Sequence, residues 1–154
     1  MGLAKELTKK MLEEDYKIKI EIDETAEYGY RIYHYGQDPG KATFSWKEIH
    51  PKPNVTPHPK GNDKTYLMVN WSDYRQNKTQ KSVPLQRLVW CYFVEDIPAG
   101  YDIHHKDDNT YNNYICLEDI EKSNLAMITH AENVRLRKKA ANQYTGGKKD
   151  GQNN

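Results

Sequence analysis

Tyr101-Asp-Ile-His-His-Lys-Asp-Asp-Asn-Thr-Tyr-Asn-Asn113, followed after a connecting segment by Ser123-Asn-Leu-Ala-Met-Ile-Thr-His-Ala-Glu-Asn133, is the stretch the chain is organised around. Two adjacent histidines end a short apolar strand, Tyr101 to His104, and an Asx-rich turn follows. Beyond it a helix begins whose first turn carries an amide. Thr129 followed by Glu132 reads as a capping box, which makes Thr129 the N-cap and Asn133 the fourth helical residue. Imidazoles, amides and helix N–H groups thereby converge on one point suited to hydrolysis at a phosphate.

Working outward, neighbouring side chains on an extended backbone leave in opposite directions, so His104 and His105 do not ligate one ion from the same side. They flank a group lodged beyond the strand end instead. Asp107 and Asp108 read either as paired carboxylates or as residues that shape the turn by bonding their own backbone, with the second favoured. His130 is either a phosphate or metal contact or simply an exposed first-turn residue. A zinc site from His104, His105 and His130 lacks a cysteine or fourth ligand at suitable spacing and is disfavoured.

The chain has 154 residues, enough for one core, with 36% apolar residues supplemented by twelve Tyr, three Trp and two Phe. Its formal charge of +1 hides a segregation. Acids gather at Glu13 to Glu27 and Glu118 to Glu121, while Arg135, Arg137, Lys138, Lys139, Lys148 and Lys149 cluster toward the C-terminal end, a patch suited to phosphate contacts. Cys91 and Cys116 form no CxxC pair and read as reduced core thiols. No apolar run of spanning length and no signal peptide is visible, so the chain reads as soluble, intracellular and unassociated with membrane.

Before this stretch, Leu3, Leu7, Met11 and Leu12 predict an amphipathic helix over 3–14, and the alternation of Ile18, Ile20 and Ile22 predicts a half-buried strand. A second strand, Tyr28 to Tyr35, ends at the Asp38-Pro39-Gly40 turn; its tyrosines read as packing surface, with base stacking the weaker alternative. Four prolines between Lys47 and Lys64 predict a loop, in which His50 and His58 are solvated. Thr65 to Trp71 and Thr79 to Val83 predict a hairpin turning near Arg75 to Lys78. Ser82 and Pro84 then open a helix with Leu85, Leu88, Val89 and Tyr92 on one face. Ile97 to Gly100 ends it. Residues 1–62 thus form an N-terminal helix and strands with a Pro-rich loop, 63–144 the main core, and 145–154 a disordered tail without apolar residues.

The ordered motifs of the second half resemble the HNH endonucleases, particularly the phage and intron-encoded homing type. Leu85-Gln86-Arg87-Leu88-Val89-Trp90 is similar to the helix that precedes their motif, and Ile97-Pro98-x-Gly100 to its lead-in. His104 to Asn109 with Asn112-Asn113 resembles the [Asp/His]-His-x-Asp-Gly-Asn…Asn-Asn core, Asn124-Leu125 the central Asn-Leu, and Thr129 to Asn133 the closing Thr-x-x-Glu-Asn. Asp108 stands where the family has glycine, a place expected to need positive φ. The Tyr114 to Ser123 link is longer than the family's.

The resemblance implies a metal-dependent endonuclease hydrolysing phosphodiester bonds of double-stranded DNA in the cytoplasm of a bacterial or phage-infected cell. The reading of fold class is α+β: antiparallel hairpins and helices with a C-terminal ββα-metal motif. His105 is the expected general base, taking a proton from the attacking water. His104 and Asn133 are the expected ligands of one divalent cation, Mg²⁺ or another such as Mn²⁺. Asn124 is expected to fix the loop that presents His105, and Arg135, Arg137, Lys138 and Lys139 to contact the DNA backbone. The rival expectations are a non-cleaving DNA-binding module on the same motif, and a ribonuclease.

Overall fold

A computed structural model of the chain describes residues 5–54, 65–73, 79–136 and 138. The alternating isoleucines do make a strand, β1 (Ile18–Ile22), whose Ile18 and Ile20 are buried while Ile22 at its end is exposed. It pairs antiparallel with β2 (Tyr30–Gln37), which pairs in turn with β3 (Phe44–Ile49). A second antiparallel sheet holds β4 (Lys52–Pro53), β5 (Leu67–Asp73) and β6 (Thr79–Pro84). The chain continues through helix α1 (Leu85–Phe93) to a third, two-stranded sheet of β7 (Tyr101–His105) and β8 (Leu125–Thr129), and residues 130–136 form helix α2. The described chain is thus α+β, with antiparallel sheets and a few helices.

Two expectations of the first half are corrected. Residues 5–8 are not helical: the N–H and C=O of Leu7 both bond Ile97, at 2.9 and 2.8 Å, and Thr8 Oγ1 accepts from the N–H of Met11. Helical backbone therefore starts only at Lys9 and runs to Asp15. The prolines do not exclude strand from the whole of 47–64 either, since β3 runs to Ile49 and Pro53 sits opposite Leu67 in the two-residue strand β4. A strand that short and at an edge loses little by lacking one donor. The β2 tyrosines divide: Tyr30 is buried, whereas Tyr35 is exposed and stacks with Phe44 and leans on Trp46 across the outer face. Residues 55–64, the 74–78 turn and the 145–154 tail lie outside the described residues.

One apolar cluster joins these pieces. Leu12, Ile32, Leu67, Val69, Leu85, Leu88, Val89, Ile97 and Leu125 are all at most 1% exposed and belong to it. Each such side chain contributes about 1.5–3 kcal/mol relative to exposure. Pro84 occupies the N-cap position of α1, where its extended ψ of 142° and missing donor cost nothing. Buried residues lie nearly all round that helix, so Trp90 and Cys91 join Leu85, Leu88 and Val89, while Tyr92 is only half-buried. Both cysteines are free, and burial pushes the Cys91 thiol up to about 12. Arg87 spends its guanidinium on structure, donating to the Tyr101 carbonyl at 2.9 Å and the Lys5 carbonyl at 2.7 Å.

A polar link crosses the core as well. The Tyr30 hydroxyl donates to the backbone carbonyl of Asn113 at 2.6 Å, tying β2 to the Asx-rich loop. Burial pushes the phenol well above its ordinary pKa. Tyr30→Phe leaves that buried carbonyl without its partner, and is expected to lower stability by about 1–2 kcal/mol in urea denaturation.

Candidate active site

Residues opposite one another in the β7–β8 pair run from Tyr101↔Thr129 to His105↔Leu125. Period-two alternation sends Ile103 and His105 into the core, at 6% and 4% exposure, and puts Asp102 and His104 on the other face. The His105 Nε2–H donates to Asn113 Oδ1 at 2.7 Å, while the other prong of that amide, Nδ2, faces the Thr110 carbonyl at 3.5 Å. Both contacts agree on the amide's orientation, and the bond places the imidazole proton on Nε2. The Tyr66 ring lies over the imidazole with centroids 6.2 Å apart.

The loop after His105 is tied by its own Asx side chains. Asp107 accepts the N–H of Asn109 at 2.8 Å, Asn124 Nδ2 at 2.9 Å and Asn112 Nδ2 at 2.9 Å. Asn124 also accepts from the N–H of Asp107 and donates to the Asn112 carbonyl, and its backbone carbonyl receives the N–H of Lys106 at 2.7 Å. Asn124 therefore touches three members of the loop. Asp108 has φ +61°, the left-handed conformation expected at this position, which an aspartate tolerates better than most side chains. Asp107 is thus a turn residue, its carboxyl held below the ordinary value of 3.8 by the Asn112 amide first, then by the Asn109 N–H and the Asn124 amide.

On the opposite face of β7 a second group gathers around Asp102. Its Oδ2 accepts from Asn133 Nδ2 at 3.0 Å and contacts His130 Nδ1 at 2.9 Å. Helix α2 begins as the capping pattern requires, Thr129 Oγ1 accepting the Glu132 N–H at 3.1 Å. Glu132, however, pairs with Arg135 along the helix instead of returning to Thr129. His104 shares the face of Asp102 by alternation, which sets it on the side of β7 where Asn133 is held. Among the described residues no side-chain hydrogen bond engages His104 or Asn133 Oδ1. Lys138 is exposed; Arg137 and Lys139 lie outside the described residues.

Two residues of this arrangement have no role in the reading of the sequence. Asn113 appears there only as the second half of an Asn-Asn pair, and nothing local reveals that its carbonyl and its amide would serve two distant partners. Asp102 stands two residues before His104, a spacing that does place both on one strand face. Among the described residues no three His, Cys, Asp or Glu side chains stand in a metal-holding arrangement. The donors present, an imidazole and an amide oxygen beside a carboxylate, have the chemistry to hold a divalent cation that keeps most of its water.

A hairpin carrying paired histidines, closed by an Asx loop and followed by a capped helix, is what residues 83–135 contain, and that stretch matches the family model described as HNH endonuclease. The match covers residues 83–135 of the 154 and supports for that stretch a relation to the HNH endonucleases, nucleases that typically use divalent metals. No curated protein and no solved structure matches the chain. Among the described residues no helix is long and apolar enough to cross a membrane.

Because the folded pKa of Asp107 is lowered, its loop bonds add stability that is fully present above the ordinary aspartate value and is lost as pH falls through the lowered one. Asp107→Asn is expected to flatten this acid limb. Its melting temperature should fall less steeply than that of the native chain between about pH 5 and about pH 2, read by circular dichroism.

Proposed function

We propose that the chain is a divalent-metal-dependent endonuclease that hydrolyses phosphodiester bonds of double-stranded DNA, with β7, β8 and α2 acting as a ββα-metal finger. The observation that carries this reading is the buried, oriented imidazole of His105 within the matched stretch. A histidine held through Nε2 by Asn113 keeps one tautomer, with its basic lone pair on Nδ1. In that role His105 takes the proton of a water attacking phosphorus.

His104 and Asn133 Oδ1 would hold the cation, Mg²⁺ in this reading, on the other face of the strand. When bound, such a cation supplies Lewis-acid stabilisation for the charge building on the phosphate and on the leaving 3′ oxygen. Asn124 holds the loop in which His105 ends its strand, a positioning role and not a chemical one. Lys138, with Arg137 and Lys139, supplies positive charge to the DNA backbone beyond the finger; Arg135 contributes less, since Glu132 already neutralises it. Cleavage then leaves 5′-phosphate and 3′-hydroxyl ends.

The enclosure of His105 favours a second reading, a nucleic-acid-binding module that does not cleave. Plasmid nicking with Mg²⁺ separates the two. The native chain should nick, His105→Ala should slow nicking about 10²–10⁴-fold while still binding duplex DNA, and the rate should climb with pH through the ordinary histidine pKa of about 6.5 and level off above it. Nicking that is indifferent to His105→Ala, or flat across that pH range, would discard the general-base assignment. Matched DNA and RNA duplexes in the same assay decide which nucleic acid is cut.

A further inference from the structure

We infer that Asp102 is a positioning residue for the metal-binding face of this finger: it sets the orientation of the Asn133 amide and so decides whether an oxygen or an NH₂ group is presented to the cation. The inference rests on the nuclease reading and extends it to a residue that has no part in the motif read from the sequence.

A carboxamide has two prongs of nearly equal size and opposite polarity, and turning it over exchanges acceptor for donor. For a cation ligand only one orientation is useful, because Nδ2 carries two protons and repels the metal. Asn133 is held by Asp102 Oδ2, 3.0 Å from its Nδ2. The reversed amide would bring Oδ1 against a carboxylate oxygen, lone pair to lone pair, with no proton between them. An ionised acceptor strengthens the observed bond beyond a neutral one. Nδ2 is thereby engaged, and Oδ1 is left as the prong without a protein partner among the described residues.

Asp102 is itself held. His130 Nδ1 lies 2.9 Å from the same Oδ2, and the Asp102 side chain is 18% exposed. The charge of Arg87, which is anchored on the Tyr101 carbonyl, also acts on it. The carboxylate is therefore fixed before the amide is oriented. It belongs to β7, the strand that also carries His104, so one rigid element places both proposed ligands: one directly, the other through a hydrogen bond spanning 31 positions of sequence.

The test is Mn²⁺ binding to the free protein, followed by electron paramagnetic resonance without DNA or turnover, for the native chain, Asp102→Ala, Asn133→Ala and the double variant. Loss of a side chain that orients a ligand typically weakens metal binding by 10- to 100-fold, so Asp102→Ala should bind Mn²⁺ about tenfold less tightly. In the Asn133→Ala background the same change should cost nothing further, because the amide through which Asp102 acts is gone. Native-like affinity in Asp102→Ala overturns the inference, and so do losses that multiply in the double variant, which would make Asp102 act independently of Asn133. A native chain that binds no Mn²⁺ removes both this inference and the metal reading beneath it. Should Asp102→Ala fail to fold, Asp102→Asn decides: an amide there can present either prong, so affinity should fall several-fold with little change in melting temperature, and unchanged affinity overturns the proposal.

Discussion

Asn113 is the residue on which the two halves of the molecule meet. Its backbone carbonyl accepts the Tyr30 hydroxyl from the N-terminal sheet, and its side-chain oxygen accepts the ring N–H of His105. Asn113, His105 and Tyr30 are all buried, at 3%, 4% and 6% exposure, so each group must find its partner inside the protein. The consequence reaches the histidine: a buried imidazole whose Nε2–H is donated to an amide oxygen is held in orientation by that bond. The first sheet thus bears on the histidine through Asn113.

The strand that carries the histidines divides the site by simple period-two geometry. One face of β7 goes to the core with Ile103 and His105, and the other carries Asp102 and His104 toward the start of α2. Adjacent residues thereby meet different surroundings, His105 on the buried side and His104 on the side of the strand where Asp102 holds Asn133. The hairpin alone could not hold this arrangement. Its inner edge is fixed by the Asn124–Asp107 exchange, and its outer edge by the Asp102 bonds to Asn133 and His130.

Much of this was legible locally. Alternating isoleucines in β1, the hairpin of β5 and β6, the helix opened by Pro84 and the Thr129 cap follow from short-range rules of pattern and capping, while the left-handed Asp108 was expected only from the glycine of the resembled family. What failed did so where a distant partner outweighed local preference. Leu7 has helical spacing with Met11 yet gives both backbone groups to Ile97, ninety positions away. Phe44 to Ile49 and Pro53 enter ladders because neighbouring strands were there to receive them.

By itself, then, the amino-acid order determined the kinds of groups available: a histidine pair, an Asx loop, an amide one turn into a capped helix, and a run of cations beyond it. Residue chemistry and backbone periodicity act over a few positions, so those features can be read without coordinates. Only the folded chain decided which prong of each amide faces which partner. Those choices depend on donors and acceptors brought together from 8 to 83 positions apart, which no local rule of pattern or capping can pair.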